Sequence, residues 1–365
     1  MKLVSRLNSF FERHVPTPHF LLPDAFGVDV SDTSVKWMAF ERAFEGFRVK
    51  SFGSVTIPDG VVEQGTIRDS QVFSRVLSEV ARKNRIAYAH VALPEEAAFV
   101  FRMQIPVGTP RDQALNIIEF ELEGRVPLPP SSTVFDYDIL SAGDADGHHE
   151  IGVVVFPREL AERYATAFAH AGITLLSLEI EARSIARAVT GEERETALIV
   201  DYGLSRTGLA VVKSGVPIFT STVDVGGEVI TKQVMETLKV ERKEAGRIEN
   251  DEGLFAVPDG HNIAPIANTH VNGLADAVAR AYRFWDTRRD KHGEAVSPLS
   301  RIILVGGSSN LYGLEDYLAG KVQAPVEQGN VWKNICTFDS YLPPIDKRTS
   351  LQYATAVGLA LRNYL

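Results

Sequence analysis

Two well-separated stretches of this sequence repeat one pattern, and that repetition constrains the fold more than any other feature. FGVDVSDTSVKWMAF (26–40) and LIVDYGLSRTGLAVV (198–212) each carry an aspartate near the end of a β-rich run. Each then turns through small and polar residues into a second β-run. More strand and then a helix follow both times: the strand pair FRVKSFGSVTI and the helix TIRDSQVFSRVLSEVARKN in the first half, the strand VPIFTSTVD and the helix VGGEVITKQVMETL in the second. Strand alternation followed by helical periodicity predicts α/β chemistry, with two related halves facing each other across a cleft. A chain of 365 residues, 45% hydrophobic, is long enough for two such halves.

Between them lies a segment of different character. FVFRMQI, RDQALNIIEFELEGRV, TVFDYDIL and EIGVVVF alternate strand, helix and two strands, with PLPP stopping the helix. The loop SAGDADGHH is read as a hairpin connection, not as a metal site built on His148 and His149. PRELAERYATAFAHAG is a helix starting at Pro157 and ending at Gly172. Near the C-terminus, RIILVGGSSNLYGLEDYLAG gives a buried strand, a glycine turn and a helix. LQYATAVGLALRNYL gives a final apolar helix, expected against the second half.

Charge and composition exclude some functions. A net charge of -9 argues against general nucleic-acid binding. The single cysteine, Cys336, leaves no internal disulfide or cysteine metal cluster and fits a reducing compartment. No stretch reaches the roughly 18 to 20 apolar residues of a spanning helix. Leu3, Val4, Leu7, Phe10 and Phe11 have helical spacing, read as a helix packed on its own domain in preference to one touching a membrane.

Three strand-to-turn junctions carry the chemistry. They are Asp29 with Ser31, Asp32, Thr33 and Ser34; Asp201 with Gly203, Ser205, Arg206 and Thr207; and Gly306, Gly307, Ser308 and Ser309 after IILV. Glycine turns let backbone N–H groups approach an anion, and hydroxyls add donors. An aspartate there can hold Mg²⁺ through waters. Gly226 and Gly227 open another helix start.

In this order the motifs resemble the type IV pilus assembly protein PilM family, relatives of the cell-division protein FtsA within the actin/Hsp70/sugar-kinase fold group. FGVDVSDTSVK is similar to the family's first phosphate motif and DYGLSRTGLAVV to its second. TVDVGGEVIT resembles the stretch that follows, IILVGGSSNLYGLEDYL the adenosine motif, and YATAVGLALR the C-terminal helix. The resemblance implies an actin-like bilobed α/β fold with an inserted small subdomain. Its expected parts are an N-terminal segment (1–23), the first lobe (24–97), a partner-binding insert (98–177), a crossover to the first lobe (178–196), the second lobe (197–345) and a C-terminal helix (346–365). It implies ATP as ligand with Mg²⁺ at Asp29 and Asp201. Ser31, Thr33, Ser34 and Lys36 would form one phosphate turn, and Gly203, Ser205 and Thr207 the other. Gly226 and Gly227 would lie beneath the nucleotide, and Gly306, Gly307 and Ser308 against the adenosine. Glu181 is weighed as a water-orienting residue or a helix cap. The implied partners are the cytosolic N-terminal tail of a PilN-like inner-membrane protein, held between the first lobe and the insert by residues of the 99–140 segment, and, beside it, pilus motor or platform components. The implied location is the cytoplasmic face of that membrane, with slow or absent hydrolysis.

The chain also departs from the family. Ser31 replaces a glycine, and Asp32 adds charge beside any phosphate. The helix motif A-E-x-x-K becomes RKEAGRIENDEG, with Gly246 at the glutamate position and Glu249 at the lysine position. Other readings therefore stand beside the first: a scaffold that has lost its nucleotide, a small-molecule kinase of the same fold group, and a polymerising division protein, which the short tail disfavours.

Overall fold

The computed structural model describes residues 23–140, 147–191, 195–256, 260–288 and 298–364. The expected N-terminal helix and most of the loops 141–149 and 292–300 lie outside them.

The repeated pattern folds into two sheets of one topology. In the first lobe, β1 (Ala25–Val30), β2 (Ser34–Arg42) and β3 (Phe47–Thr56) form an antiparallel meander. A ribbon of β4 (Val62–Glu63) and β5 (Thr66–Ile67) follows. β6 (Tyr88–Leu93) and β10 (Thr174–Ile180) then extend the sheet in parallel, giving the order β10-β6-β1-β2-β3. In the second lobe, β11 (Thr196–Tyr202), β12 (Thr207–Lys213) and β13 (Val216–Val223) repeat the meander. β14 (Arg301–Val305) and β15 (Val326–Gln328) repeat the parallel extension, in the order β13-β12-β11-β14-β15. β1 is buried at every position, as a central strand covered on both faces must be. β3, at an edge, alternates between half-buried and exposed residues.

Helices cover the outer faces. α1 (Ser70–Asn84) begins where the Asp69 carboxylate accepts from the amides of Gln71 and Val72, both at 3.0 Å. It buries Phe73, Leu77 and Val80 on the first sheet. The insert is a three-stranded sheet of β7 (Phe99–Pro106), β8 (Thr133–Ile139) and β9 (His148–Pro157), in the order β7-β9-β8. α2 (Arg111–Arg125) packs on it through Ala114, Ile118 and Leu122. The span 98–177 divides after β9. α3 (Arg158–His170) joins the first lobe's core through Leu160, Tyr164 and Phe168, and β10 joins that lobe's sheet. The first lobe thus resumes at residue 158, earlier than expected, because these apolar faces fit its sheet. The second lobe carries α5 (Glu228–Leu238), α6 (Arg242–Asp251), α7 (Ala264–Asp286) and α8 (Leu314–Val322).

The lobes are joined by exchanged helices. α4 (Glu181–Val189) leaves the first lobe's last strand and packs beside β12 and β13 of the second. After the short α9 (Lys347–Ser350), α10 (Ala354–Leu361) packs on β1, β2 and β6 of the first lobe and against α4. The C-terminal helix therefore lies on the first lobe's sheet, not against the second half as expected. Alanine and glycine make this possible: a side chain at Gly358 would overlap the Ser184 carbonyl, and one at Gly27 the Ala356 carbonyl.

Candidate functional site

The carboxyl ends of β1 and β11 open on a cleft of about 410 Å³ between the lobes. Asp29 is the penultimate residue of β1 and Asp201 of β11, so the duplication aims two aspartates into one space. Asp29 is buried, with the Lys36 Nζ across the hairpin at 3.5 Å from its Oδ2. Val305, paired with Asp201 on the neighbouring strand, leads into Gly306 at φ +89°. A side chain at Gly306 would collide with the Tyr202 carbonyl and the Asp201 carboxylate.

Ser31 closes the β1–β2 turn. Its amide donates to the Ser34 carbonyl at 2.9 Å, and its Oγ accepts from the Ser34 amide at 3.2 Å. It is not among the left-handed residues, so the turn tolerates its β-carbon. The opposing loop turns at Gly203, whose amide donates to the Arg206 carbonyl at 3.0 Å. Three donors brace this loop from behind: the Gly227 amide to the Gly203 carbonyl (3.1 Å), the Glu228 amide to the Leu204 carbonyl (2.9 Å), and the Ser308 Oγ to the Gly203 carbonyl (3.0 Å).

Asp29, Ser31, Thr33, Ser34, Lys36, Asp201, Gly203, Ser205, Gly306, Gly307 and Ser308 all line the cleft, as does Glu181. Thr207, Gly226 and Gly227 do not. The buried Thr207 hydroxyl donates to the Val225 carbonyl at 2.6 Å. The two glycines let the start of α5 press against Leu204 and Ser308. Their place is behind the Gly203–Arg206 loop.

Sequence reasoning missed Glu95 and Glu96, on the turn after β6, and gave Arg206 no role. Glu95 lies against Gly208, where an added Cβ would stand 2.9 Å from its Oε2. Burial, reinforced by Asp201, pushes its carboxyl up to about 8. Burial and then Asp29 push Asp201 up to about 6. Glu181 is raised well above the usual carboxylate range by burial and by Asp29, Glu95, Glu96 and Asp201. Arg206 reaches from the second lobe to the first. Its Nη2 lies 3.0 Å from Asp32 Oδ1, and its Nη1 pairs with Glu96. Asp32 also accepts from the Gly65 amide at 2.9 Å. The charge that Asp32 adds is thus already partnered.

At the far end, Gly246 and Glu249 of α6 both line the cleft. Nothing lies within 4 Å of a Cβ added at Gly246. Glu249 accepts from the Thr231 hydroxyl at 3.2 Å, while its other oxygen is buried with no partner among the described residues. Burial pushes Glu249 up to about 7.

The family model described as type IV pilus assembly protein PilM matches residues 27–364. The chain belongs to this family. A solved PilM-PilN type IV pilus biogenesis complex resembles it at TM-score 0.75 and 19% identity, over 94% of this chain and 99% of that one. The ethanolamine utilization protein EutJ from Carboxydothermus hydrogenoformans follows at 0.53 and 17%, over 98% and 96%. MreB 5 of Spiroplasma citri, bound to AMPPNP, follows at 0.51 and 12%, over 92% and 95%. These likenesses show the fold, an actin-like pair of lobes, which PilM membership leads one to expect.

The residues present suit a phosphate chain and a divalent cation at one end. Four carboxyls of the cleft, the buried Asp29 and Glu95 and the half-buried Glu181 and Asp201, repel one another, and a cation would relieve that repulsion. Lys36 and Arg206 supply positive charge for phosphates beside them. At the other end, Gly246 and Glu249 stand where the resemblance leads one to expect a Glu and Lys pair. Among the described residues no helix is long and apolar enough to cross a membrane.

Proposed function

We propose that this protein binds ATP with Mg²⁺ in the cleft and serves as the actin-like cytosolic component of a type IV pilus inner-membrane complex. The observation that carries this is the pairing of Asp29 and Asp201 at equivalent strand ends, each beside a polar turn. Asp29 and Asp201 would hold Mg²⁺ through waters, and the cation would offset phosphate charge there. Lys36 and Arg206 would hold the phosphates, and Gly306 and Gly307 would let the nucleotide approach the backbone. Because the site is built from both lobes, occupancy would set the angle between them and bias partner binding. The reading includes slow or absent turnover.

The partner is the cytosolic N-terminal tail of a PilN-like membrane protein, and it keeps the chain at the membrane's cytoplasmic face. A groove of about 400 Å³ between insert and first lobe suits a peptide, with Val134 and Phe135 on one wall and Leu178 and Ile180 on the other. Calorimetric titration with ATP in the presence of Mg²⁺ tests the nucleotide; no binding sinks that part. The nucleotide-free scaffold is the second reading, favoured by Gly246 and Glu249 facing the cleft. Under it, Asp29→Asn leaves pilus assembly intact in a folded protein.

A further inference from the structure

The insert interrupts the first lobe in sequence, yet it is fastened closely to the second. Leu140, just past β8, is buried in the second lobe's core. Gly152 of β9 stands against the start of β13, where an added Cβ would lie 3.2 Å from Val216. The Glu150 carboxylate, 2.7 Å from Arg102 within the insert, also lies 3.3 Å from the Lys213 Nζ of β12. The Arg102 guanidinium lies over the buried Trp285 ring of α7 at 5.2 Å. Arg183 of α4 completes this seam. Its Nη2 lies 3.0 Å from Asp138 of β8, and its Nη1 donates to the Gly215 carbonyl of the second lobe at 3.0 Å. Arg102, Glu150 and Lys213 are each no more than one-quarter exposed, so salt screens them only in part.

Toward the first lobe the fit is looser. Val100, Val134 and Val154 are only half buried against that lobe's core. Arg158 donates to the Ser131 and Thr133 carbonyls at 3.2 and 2.8 Å. Beyond these, β8 and β10 part to leave the groove. The chain itself passes between insert and first lobe twice, before Phe99 and after Pro157. We infer that the insert moves as one body with the second lobe, hinged to the first at those two passages. The groove is then a gauge of the angle between the lobes, because its two walls belong to bodies that turn against each other. Opening the cleft reshapes the groove, and a peptide seated in the groove biases the cleft in return. This deepens the function proposed above and rests on it for what fills cleft and groove.

Distances between spin labels on the full chain test this. With Cys336→Ser removing the native thiol, one label goes at Phe120→Cys on α2 of the insert. The other goes at Arg75→Cys on α1 of the first lobe or Arg280→Cys on α7 of the second, all exposed positions. Two perturbations move the lobes: ATP with Mg²⁺, and, without any ligand, Arg206→Ala, which cuts the link to Asp32 and Glu96. The insert-to-first-lobe distance should shift or broaden by about 2 Å or more, and the insert-to-second-lobe distance by less than about 1 Å. Adding Arg183→Ala and Lys213→Ala should free the insert, so that the second distance broadens too. Lys213→Ala alone serves if Arg183→Ala unfolds. An insert-to-second-lobe distance that changes as much as the other overturns the inference. So does an insert-to-first-lobe distance that stays fixed under both perturbations. If ATP fails to bind while Arg206→Ala changes the first distance alone, the nucleotide reading falls and this inference is upheld.

Discussion

Arg206 of the second lobe holds Asp32 of the first at 3.0 Å, across the mouth of the cleft. The two residues stand on opposing turns, each where the duplicated pattern leaves its first strand. The arginine also pairs with Glu96, so one side chain from the second lobe ties down two carboxylates of the first. With both ends only about one-fifth exposed, screening is partial and the pair has real strength. Arg206→Ala should destabilise the protein by about 1–3 kcal/mol, because Asp32 and Glu96 lose their cation. Hydrogen exchange should quicken at 94–97 and 203–206. The reversed pair Asp32→Arg with Arg206→Asp should recover part of the loss. A single variant with unchanged exchange at those segments would show that the pair does not hold the lobes.

The carboxyl cluster makes a pH prediction. Asp201 at about 6 and Glu95 at about 8 are both raised above their ordinary values of 3.8 and 4.5. The folded state therefore binds more protons than the unfolded chain in the intervening range. Their contribution to stability is full below about pH 4 and is lost as pH rises through 6 and then 8. Mg²⁺ competes with those protons, so it should raise Tm more at pH 8.5 than at pH 5.5. Asp201→Asn should flatten the difference. A Mg²⁺ shift independent of pH would place the ion elsewhere.

How much of this could be read from the sequence depends on what each residue's signal is made of. Asp29 and Asp201 were legible because strand alternation and a polar turn are local patterns, and duplication said they face each other. Glu95 was not: LPEEA says only that a strand ends, and nothing local shows that its turn slides beneath Gly208 and Asp201. Gly226 and Gly227 looked like an anion site because glycine before a helix has two uses. The packing of Leu204 and Ser308, visible only in three dimensions, selects the structural one. The alanine-rich C-terminal helix announced that it is buried but not where, since apolar composition carries no address. The positions of Gly246 and Glu249 follow from motif spacing, and both line the cleft.

That register can be tested by restoring the missing pair. Gly246→Glu has open space to enter, and Glu249→Lys removes a carboxyl with an unpartnered oxygen. The first change also replaces a glycine within a helix, worth about 0.5–1 kcal/mol on its own. The double variant should bind ATP about tenfold more tightly than the parent by calorimetry and melt no lower. If affinity is unchanged while both variants fold, the α6 face is not where the nucleoside lies.

The crossing of α4 and α10 yields the largest expected stability effect. At Gly358 an added methyl group meets the Ser184 backbone, which is part of a buried helix and cannot swing aside as a side-chain tip could. Gly358→Ala must therefore part the two helices, and with them the contact between the lobes, at a cost of about 3 kcal/mol or more. Gly320, within α8, is the control. Nothing lies within 4 Å of a Cβ there, so Gly320→Ala should be neutral or stabilising by up to about 1 kcal/mol through helix propensity. Chemical denaturation of the two variants separates these cases. Equal effects would mean that the close helix crossing, and so the exchange of helices between lobes, does not exist in solution.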